Sequence, residues 1–140
     1  NRNPTQKEIS YAKAVLADTA PKPLPGLAEA YAHRTLGLAN GPPEERIILQ
    51  ALRLGEVGIT SIPCEVLCEI GLTLKAKSPL PQATFTIELA NGHNGYLPTP
   101  RQHALGGYET WMGTCTLEIT ASVKIQNELL KMLEKVAQKD

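Results

Sequence analysis

The stretch that decides the fold is RIILQALRLGEVGITSIPCE, residues 46–65. Aliphatic residues dominate both halves of it, and the central LGEVG at 54–58 is typical of a tight turn between two strands. The stretch therefore predicts a β-hairpin. Pro63 ends the second strand, and apolar residues at helical spacing predict a helix from Glu65 to about Lys77 directly after it. We expect Glu65 to lie at the edge of a sheet, where this helix begins.

Three other segments predict helices, and two predict strands. Apolar residues recur at helical spacing in residues 5–18, 27–35 and 120–138, whereas 84–90 and 114–120 are short β-rich runs. Ser78, Pro79 and Pro81 end the helix that follows the hairpin. Residues 91–112 predict a long glycine-rich loop, and such loops are usually functional. Residues 1–140 thus predict a single α+β unit, or part of a larger α/β layered domain, with a small mixed sheet covered by helices.

Composition excludes several classes of protein. A hydrophobic content of 42% in 140 residues is enough for a core. Lysine plus arginine and aspartate plus glutamate both total 14, so the chain has no excess of positive charge. One Trp, one Phe and four Tyr are too few for a platform on which nucleotide bases stack. No apolar stretch approaches the roughly 20 residues of a membrane-spanning helix. We expect no nucleic-acid partner and no transmembrane segment.

The cysteines and the first residue bear on the chain's environment. Cys64, Cys68 and Cys115 are an odd number and lack the spacing of redox or zinc-ribbon motifs. We expect them to be buried, reduced and structural. The chain begins with Asn1 rather than methionine, as expected of an interior piece of a longer polypeptide and equally of an expressed fragment or a processed product.

Five residues stand out as candidates for chemistry. Glu65 at a strand-to-helix junction could be a metal ligand or an acid, or could only complement the helix dipole. Tyr96 and Tyr108 lie in the glycine-rich segment, where a phenol could ligate a metal or stabilise an oxyanion. Tyr108 could equally be a packing residue. His93 and His103 have no standard metal-ligand spacing and are expected to be exposed or hydrogen-bonded loop residues.

Three blocks of sequence carry a family resemblance. They are LGEVGITSIPCE at 54–65, LANGHNGYLPTP at 89–100 and GYE at 107–109. In this order and spacing, they resemble the C-terminal part of the catalytic domain of neutral/alkaline, non-lysosomal ceramidases. The resemblance is good over residues 50–114 and loose in the flanking helices. Its specificity lies in the combined order of the blocks.

The resemblance implies a zinc-dependent amidohydrolase. In that family, zinc is held by two histidines from earlier in the chain, by a glutamate and by a tyrosine, and Glu65 and Tyr96 match the last two. A second tyrosine, twelve residues further on, hydrogen-bonds the substrate carbonyl and its tetrahedral intermediate, and Tyr108 occupies that position. The implied reaction is hydrolysis of the N-acyl amide bond of ceramide or a related lipid amide. The implied partner is the remainder of the catalytic domain, in a secreted, periplasmic or membrane-associated parent protein.

The chain departs from the family pattern in three respects. Cys64 replaces the usual glycine, and Gly92 and His93 replace a more aromatic stretch, which leaves the lipid specificity open. The two-histidine part of the metal site is not in these 140 residues. We therefore expect the chain alone to bind zinc weakly and to be inactive. The alternative is a non-catalytic interaction or scaffold domain that keeps the fold without the histidines.

Overall fold

A computed structural model describes residues 1–80 and 83–138 of the chain. Its elements in chain order are α1 (Gln6–Leu16), α2 (Pro25–Asn40), β1 (Gln50–Leu54), β2 (Val57–Ser61), β3 (Glu65–Val66), α3 (Cys68–Lys77), β4 (Thr84–Ile87), β5 (Tyr96–Leu97), α4 (Pro100–Leu105), a short 3-10 turn (Tyr108–Thr110) and α5 (Ala121–Ala137). The predicted α+β class is confirmed.

The predicted hairpin is present and supplies the edge strand β1 and the central strand β2 of the main sheet. Strands β1 and β2 pair antiparallel, with Leu54 opposite Val57 and Gly55 in the left-handed region at φ 60°. Strand β4 adds parallel to β2 after the chain crosses over through α3, which gives the order β1-β2-β4. A second, two-stranded sheet pairs β3 with β5 in parallel.

The prediction that a strand runs directly into a helix at Glu65 is wrong. Residues 65 and 66 form β3, and α3 begins only at Cys68. The Glu65 N–H donates to the carbonyl of Gly95, and the Val66 N–H donates to the Glu88 carboxylate. Both donors are thus satisfied by groups distant in sequence, which favours a strand over a first helical turn.

The segment 91–112 is more structured than the predicted long loop. It contains β5 and the helix α4, whose first turn is closed by a capping box between Thr99 and Gln102. The strand predicted at 114–120 is absent, because Cys115 makes only isolated bridges, to Gly95 and Met112. Pro81, which was expected to help end α3, lies outside the described residues.

The helices at the two ends of the chain agree with the sequence patterns. Helix α1 begins with a capping box in which Thr5 and Glu8 each accept a backbone hydrogen bond from the other. Helix α2 runs further in both directions than predicted, and it packs against α1 through a small core of its own. Helix α5 buries Leu129 and Leu133 of the predicted apolar stripe and also Ile125, which the stripe did not include, whereas Val123, which it did include, is 43% exposed. Among the described residues, none of the helices has the length and apolarity needed to cross a bilayer.

The buried face of the main sheet is the one that carries small and hydroxylated side chains. Gly58 and Thr60 lie toward α5 and α3, and a Cβ at Gly58 would be 3.3 Å from a methyl group of Leu133. On this face the Thr60 and Thr86 hydroxyls form a hydrogen bond of 2.8 Å. The opposite face is apolar and exposed, and it carries Leu52, Leu54, Phe85 and Ile87. The side that contacts the helices is therefore the less hydrophobic one.

Candidate active site

The second sheet brings Glu65 and Tyr96 side by side. The two residues are partners in the parallel register of β3 and β5. Gly95, at φ 72°, makes this pairing possible, because a Cβ there would lie 2.5 Å from the Thr114 carbonyl oxygen. The Tyr96 N–H donates to the same oxygen over 3.1 Å. A tight backbone crossing thus fixes the positions of the carboxylate and the phenol.

Glu65 and Tyr96 shift each other's acidity. A hydrogen bond from the Tyr96 hydroxyl lowers the pKa of Glu65, burial opposes this shift, and His93 adds to the lowering. The hydrogen bond to Glu65, followed by burial, raises the pKa of Tyr96 to about 12. At neutral pH and without a metal, Glu65 is therefore ionised, and the phenol of Tyr96 beside it keeps its proton.

Tyr108 begins the 3-10 turn and stands over the ring of Tyr96. The two rings meet edge to face, with centroids 5.8 Å apart, and Trp111 and Tyr31 continue the series at 5.5 Å and 5.4 Å. Hydrogen bonding to Tyr31 raises the pKa of Tyr108. Tyr108 is 48% exposed, so it is not a core packing residue, and its raised pKa keeps its hydroxyl protonated at neutral pH.

A cleft of about 420 Å³ contains the three residues to which the resemblance assigns roles. Glu65, Tyr96 and Tyr108 all line it, together with Arg34, Glu45 and His93. A site with two carboxylates, two phenols, a guanidinium and an imidazole can hold a cation and can donate hydrogen bonds to a polar substrate.

Arg34 is held in the cleft by its neighbours. A Cβ at Gly113 would lie 2.5 Å from the Arg34 Cβ, so the absence of a side chain there makes room for the arginine stem. Its guanidinium carbon lies 5.0 Å from the centroid of the Tyr31 ring, within the range of a cation–π contact. Sequence reasoning missed Arg34, because nothing in the pattern of α2 distinguishes it from an ordinary exposed arginine.

The two loop histidines have different surroundings. His93 lies in the cleft, with its Nε2 3.3 Å from the Glu65 Oε1 and 67% of its side chain exposed. His103 lies outside it, with its Nε2 3.9 Å from the Cys115 sulfur. Burial, followed by the charge of Arg2, lowers the pKa of His103. His93 is thus exposed and hydrogen-bonded, as predicted, but its partner is the candidate metal ligand. In the sequence, the feature that could have indicated this contact is the position of His93 just before β5.

The cysteines divide into two kinds. Cys64 and Cys115 are buried, and desolvation raises the pKa of Cys64 to about 12. Cys64 is therefore a protonated core residue behind the site rather than a thiolate ligand. The prediction that all three are buried is wrong for Cys68, which is exposed at the first residue of α3.

An apolar groove lies on the other side of the aromatic series. It has a volume of about 440 Å³ and runs between α1, α2 and the segment around Trp111. Leu24, Leu27, Tyr31 and Trp111 are among its lining residues. Because the Trp111 ring contacts both Tyr31 and Tyr108, the groove is separated from the cleft by about one layer of aromatic side chains.

The donors in the cleft fit a hard or borderline cation. A carboxylate and a phenol, held together by neighbouring strands, are both oxygen ligands that zinc accepts. Within residues 1–80 and 83–138, no three side chains of histidine, cysteine, aspartate or glutamate converge on one point. Comparisons of the chain with protein-family models, with curated proteins and with solved structures gave no match.

Proposed function

We propose that this chain is the part of a zinc-dependent lipid amidohydrolase that supplies Glu65 and Tyr96 as metal ligands and Tyr108 as a catalytic hydrogen-bond donor. The observation that carries the proposal is the register of β3 and β5, which places Glu65 opposite Tyr96, with the ring of Tyr108 against Tyr96. From the resemblance to neutral/alkaline ceramidases, we expect these three residues to lie at one site.

Each residue has a distinct task in this proposal. A zinc ion would supply Lewis acidity and a bound water of lowered pKa. Glu65 contributes a carboxylate that stays ionised at neutral pH, and Tyr96 contributes an oxygen ligand beside it. Tyr108 stays protonated and donates a hydrogen bond to the oxygen of the scissile carbonyl, where negative charge develops in the transition state.

The apolar groove supports a lipid amide as substrate. Its lining is mostly hydrocarbon and aromatic, and it lies next to the cleft in which the amide would react. An acyl or sphingoid chain bound in the groove would transfer apolar surface out of water. The partner implied is the remainder of the catalytic domain, which contributes the two histidines.

A scaffold domain remains the second candidate. It is favoured by one observation, namely that three histidine, cysteine, aspartate or glutamate donors do not meet at any point in the described parts of the chain. The two functions differ in what they need from Tyr108. A scaffold requires its ring, whereas an amidohydrolase requires its hydroxyl.

The proposal is tested on the longer polypeptide that contains this chain, with a fluorogenic N-acyl sphingoid substrate. Glu65→Gln is expected to lose zinc, because a neutral amide is a poorer ligand than a carboxylate. Tyr108→Phe is expected to retain zinc and lose about 100-fold to 1000-fold in turnover. His33→Gln, at an exposed position of α2, is the matched control and leaves both quantities unchanged. Normal turnover in Tyr108→Phe, or full zinc content in Glu65→Gln, contradicts the proposal.

A further inference from the structure

We infer that Trp111 is a positioning residue for Tyr108, whose phenol it holds in the orientation that amide hydrolysis requires. The inference rests on the proposed function, in which Tyr108 donates a hydrogen bond to the scissile carbonyl. It adds the side chain that keeps this donor in place. Trp111 is the single tryptophan of the chain, and no pattern in the sequence gave it a role.

The backbone around Tyr108 does little to fix its side chain. Tyr108 begins a turn of three residues, and the glycines before it, Gly106 and Gly107, have φ of 79° and 115°. Glycine has more conformational freedom than any other residue, and the turn has no side-chain cap. Because Tyr108 is 48% exposed, no core encloses its ring. The orientation of the phenol therefore depends on the side chains that the ring contacts.

Among the described residues, two aromatic rings make edge-to-face contact with Tyr108, and one of them belongs to Trp111. The Trp111 ring meets the Tyr108 ring at 69°, with centroids 5.5 Å apart, and the Tyr96 ring is the other neighbour at 5.8 Å. Such pairs are favourable, because the positive edge of one ring faces the negative face of the other. Tyr96 lies in β5, whereas Trp111 directly follows the 3-10 turn. Two contacts from different parts of the backbone thus restrict the rotation of the phenol.

Trp111 is itself anchored through its backbone. Its N–H donates to the Tyr108 carbonyl over 3.1 Å, and its carbonyl accepts from the Thr114 N–H over 3.0 Å. The Arg2 guanidinium donates to the carbonyl of Thr110, the residue before Trp111, over 2.5 Å. A side chain on backbone that is held at several points is a better support for a functional group than one on a free loop.

Tyr31 supports the Trp111 ring from helix α2. The two rings meet at 82°, with centroids 5.4 Å apart, and the Tyr31 hydroxyl forms a hydrogen bond of 3.0 Å with the Thr114 hydroxyl. The carbonyl of Thr114 in turn accepts from the Tyr96 N–H. The contacts therefore form a closed circuit, which runs from Tyr96 through Tyr108, Trp111, Tyr31 and Thr114 back to Tyr96. Loss of the Trp111 ring would open this circuit and leave Tyr108 with one such aromatic neighbour instead of two.

The alternative is that Trp111 only packs helix α2 against the rest of the chain. In that case, its replacement lowers the free energy of unfolding but leaves the turnover of each folded molecule unchanged. A positioning residue acts instead on kcat through Tyr108, so its effect disappears when the Tyr108 hydroxyl is already absent. The two roles therefore differ in the kcat of the folded protein, which a change in stability alone does not alter.

The first experiment measures steady-state kinetics of the longer polypeptide on the fluorogenic N-acyl sphingoid substrate. We expect Trp111→Leu to lower kcat by about 10-fold to 100-fold, since a displacement of about 1 Å at a reacting site can cost 100-fold, with KM and zinc content little changed. Trp111→Phe, which keeps an aromatic ring, should retain most of the turnover. In combination with Tyr108→Phe, Trp111→Leu should lower kcat no further. His33→Gln, at an exposed position of α2, is the control and should match the unaltered polypeptide.

The second experiment needs no activity and uses the 140-residue chain. NMR spectra are recorded with isotope-labelled tyrosine rings. In Trp111→Leu, we expect the Tyr108 ring resonances to move toward those of an unstructured tyrosine. Phe85→Leu, which removes an exposed aromatic ring from the outward face of the main sheet, is the matched control and should leave these resonances in place. If Trp111→Leu does not fold, Trp111→Met replaces it, because the flexible methionine side chain fills irregular space without presenting a ring.

Three results overturn the inference. They are an unchanged kcat in a folded Trp111→Leu variant, a loss in that variant that adds fully to the loss in Tyr108→Phe, and unchanged Tyr108 resonances in the isolated chain. If Tyr108→Phe loses turnover and Trp111→Leu does not, the positioning role is wrong while the proposed function stands. If the Tyr108 resonances move as expected and the longer polypeptide hydrolyses no lipid amide, the proposed function is wrong, while Trp111 still orients Tyr108.

Discussion

Glu65 and Tyr96 lie opposite each other on two parallel strands, and interaction with the carboxylate of the glutamate raises the pKa of the tyrosine hydroxyl. The two residues come from different parts of the chain, and their pairing depends on the backbone crossing at Gly95. Each therefore sets the protonation of the other in the metal-free chain.

The pKa of Tyr96 should fall when Glu65 is neutralised. The hydrogen bond to the carboxylate is the main reason that the pKa of Tyr96 is about 12. In Glu65→Gln, the acceptor is weaker and uncharged, so we expect a pKa closer to the ordinary tyrosine value of about 10. Titration of a ring-labelled Tyr96 by NMR measures it. Glu69→Gln, which loses an ion pair with Arg101 instead, is the control, and an unchanged Tyr96 midpoint in Glu65→Gln would falsify the pairing.

Gly95→Ala should be strongly destabilising. The added Cβ would lie 2.5 Å from the Thr114 carbonyl oxygen, and the backbone is at φ 72°. We expect a loss of about 2 kcal/mol or more in the free energy of unfolding, from backbone strain and displaced strands. Gly37→Ala in α2 meets no atom within 4 Å and should gain about 0.5–1 kcal/mol. Urea unfolding measures the free energy of unfolding of both variants. An equal change in the two variants would contradict the prediction.

Two buried serines should respond in opposite ways to alanine. Among the described residues, the Ser122 hydroxyl has no hydrogen-bond partner, so Ser122→Ala should be neutral or stabilising. The Ser78 hydroxyl contacts the Thr84 hydroxyl at 2.8 Å and accepts from the Leu80 N–H at 3.0 Å. Ser78→Ala leaves the Leu80 N–H without this acceptor, although the Thr84 hydroxyl keeps its bond to the Leu80 carbonyl, and should cost about 1–3 kcal/mol. Thermal unfolding distinguishes them, and a larger loss at Ser122 would contradict the assignment.

The capping box of α1 should make stability depend on pH. Partial burial raises the pKa of Glu8, but hydrogen bonds from Thr5 and the charge of Arg2 outweigh it, so the pKa lies below its ordinary value of 4.5. A carboxyl whose pKa is lowered by folding stabilises the protein above its unfolded pKa, and this stabilisation is lost as the pH falls through the folded pKa. Relative to Glu8→Gln, the unaltered chain should therefore be more stable at pH 7, and this advantage should decrease as the pH falls through the folded pKa of Glu8. Glu44→Gln, at an exposed coil position, should show a smaller dependence.

One thiol should react faster than the other two. Cys68 is exposed, whereas Cys64 and Cys115 are buried, and burial raises the pKa of both buried thiols. Since the thiolate is the reactive form, we expect rapid labelling of a single cysteine in the native chain at neutral pH. Mass spectrometry of the labelled peptides identifies it. Equal labelling of Cys64 would show that the core behind Glu65 opens readily.

Sequence reasoning succeeded where the structure depends on local patterns. The hairpin follows from the turn residues at 54–58, and α1 and α5 follow from apolar spacing. It failed at β3, because Glu65 and Val66 are held in a strand by Gly95, Tyr96 and Leu97, which are distant in sequence. Helical spacing after Pro63 gave no sign of this pairing, and tertiary contacts overrode it.

The candidate site was predicted in part. Glu65, Tyr96 and Tyr108 were named from the resemblance, and all three line one cleft, while their roles stay predictions. Arg34 was not found, because α2 has no local pattern that sets it apart. His93 was set aside because its spacing from His103 fits no metal motif, yet its neighbour in space is Glu65. The spacing of residues in the sequence can reveal metal ligands that lie on one helix. It does not reveal ligands that two different strands bring together in space.

The outward apolar face of the main sheet has a thermodynamic consequence. Leu52, Leu54, Phe85 and Ile87 are already hydrated in the folded chain, so unfolding transfers less new hydrocarbon surface to water than it does in proteins of this length. Typical domains gain about 12–15 cal/mol/K in heat capacity per residue on unfolding, and their denaturant sensitivity rises with the surface exposed. For the isolated chain, we expect both the gain in heat capacity per residue and the denaturant sensitivity to lie below those of typical domains. The dependence of its stability on temperature should be correspondingly flatter.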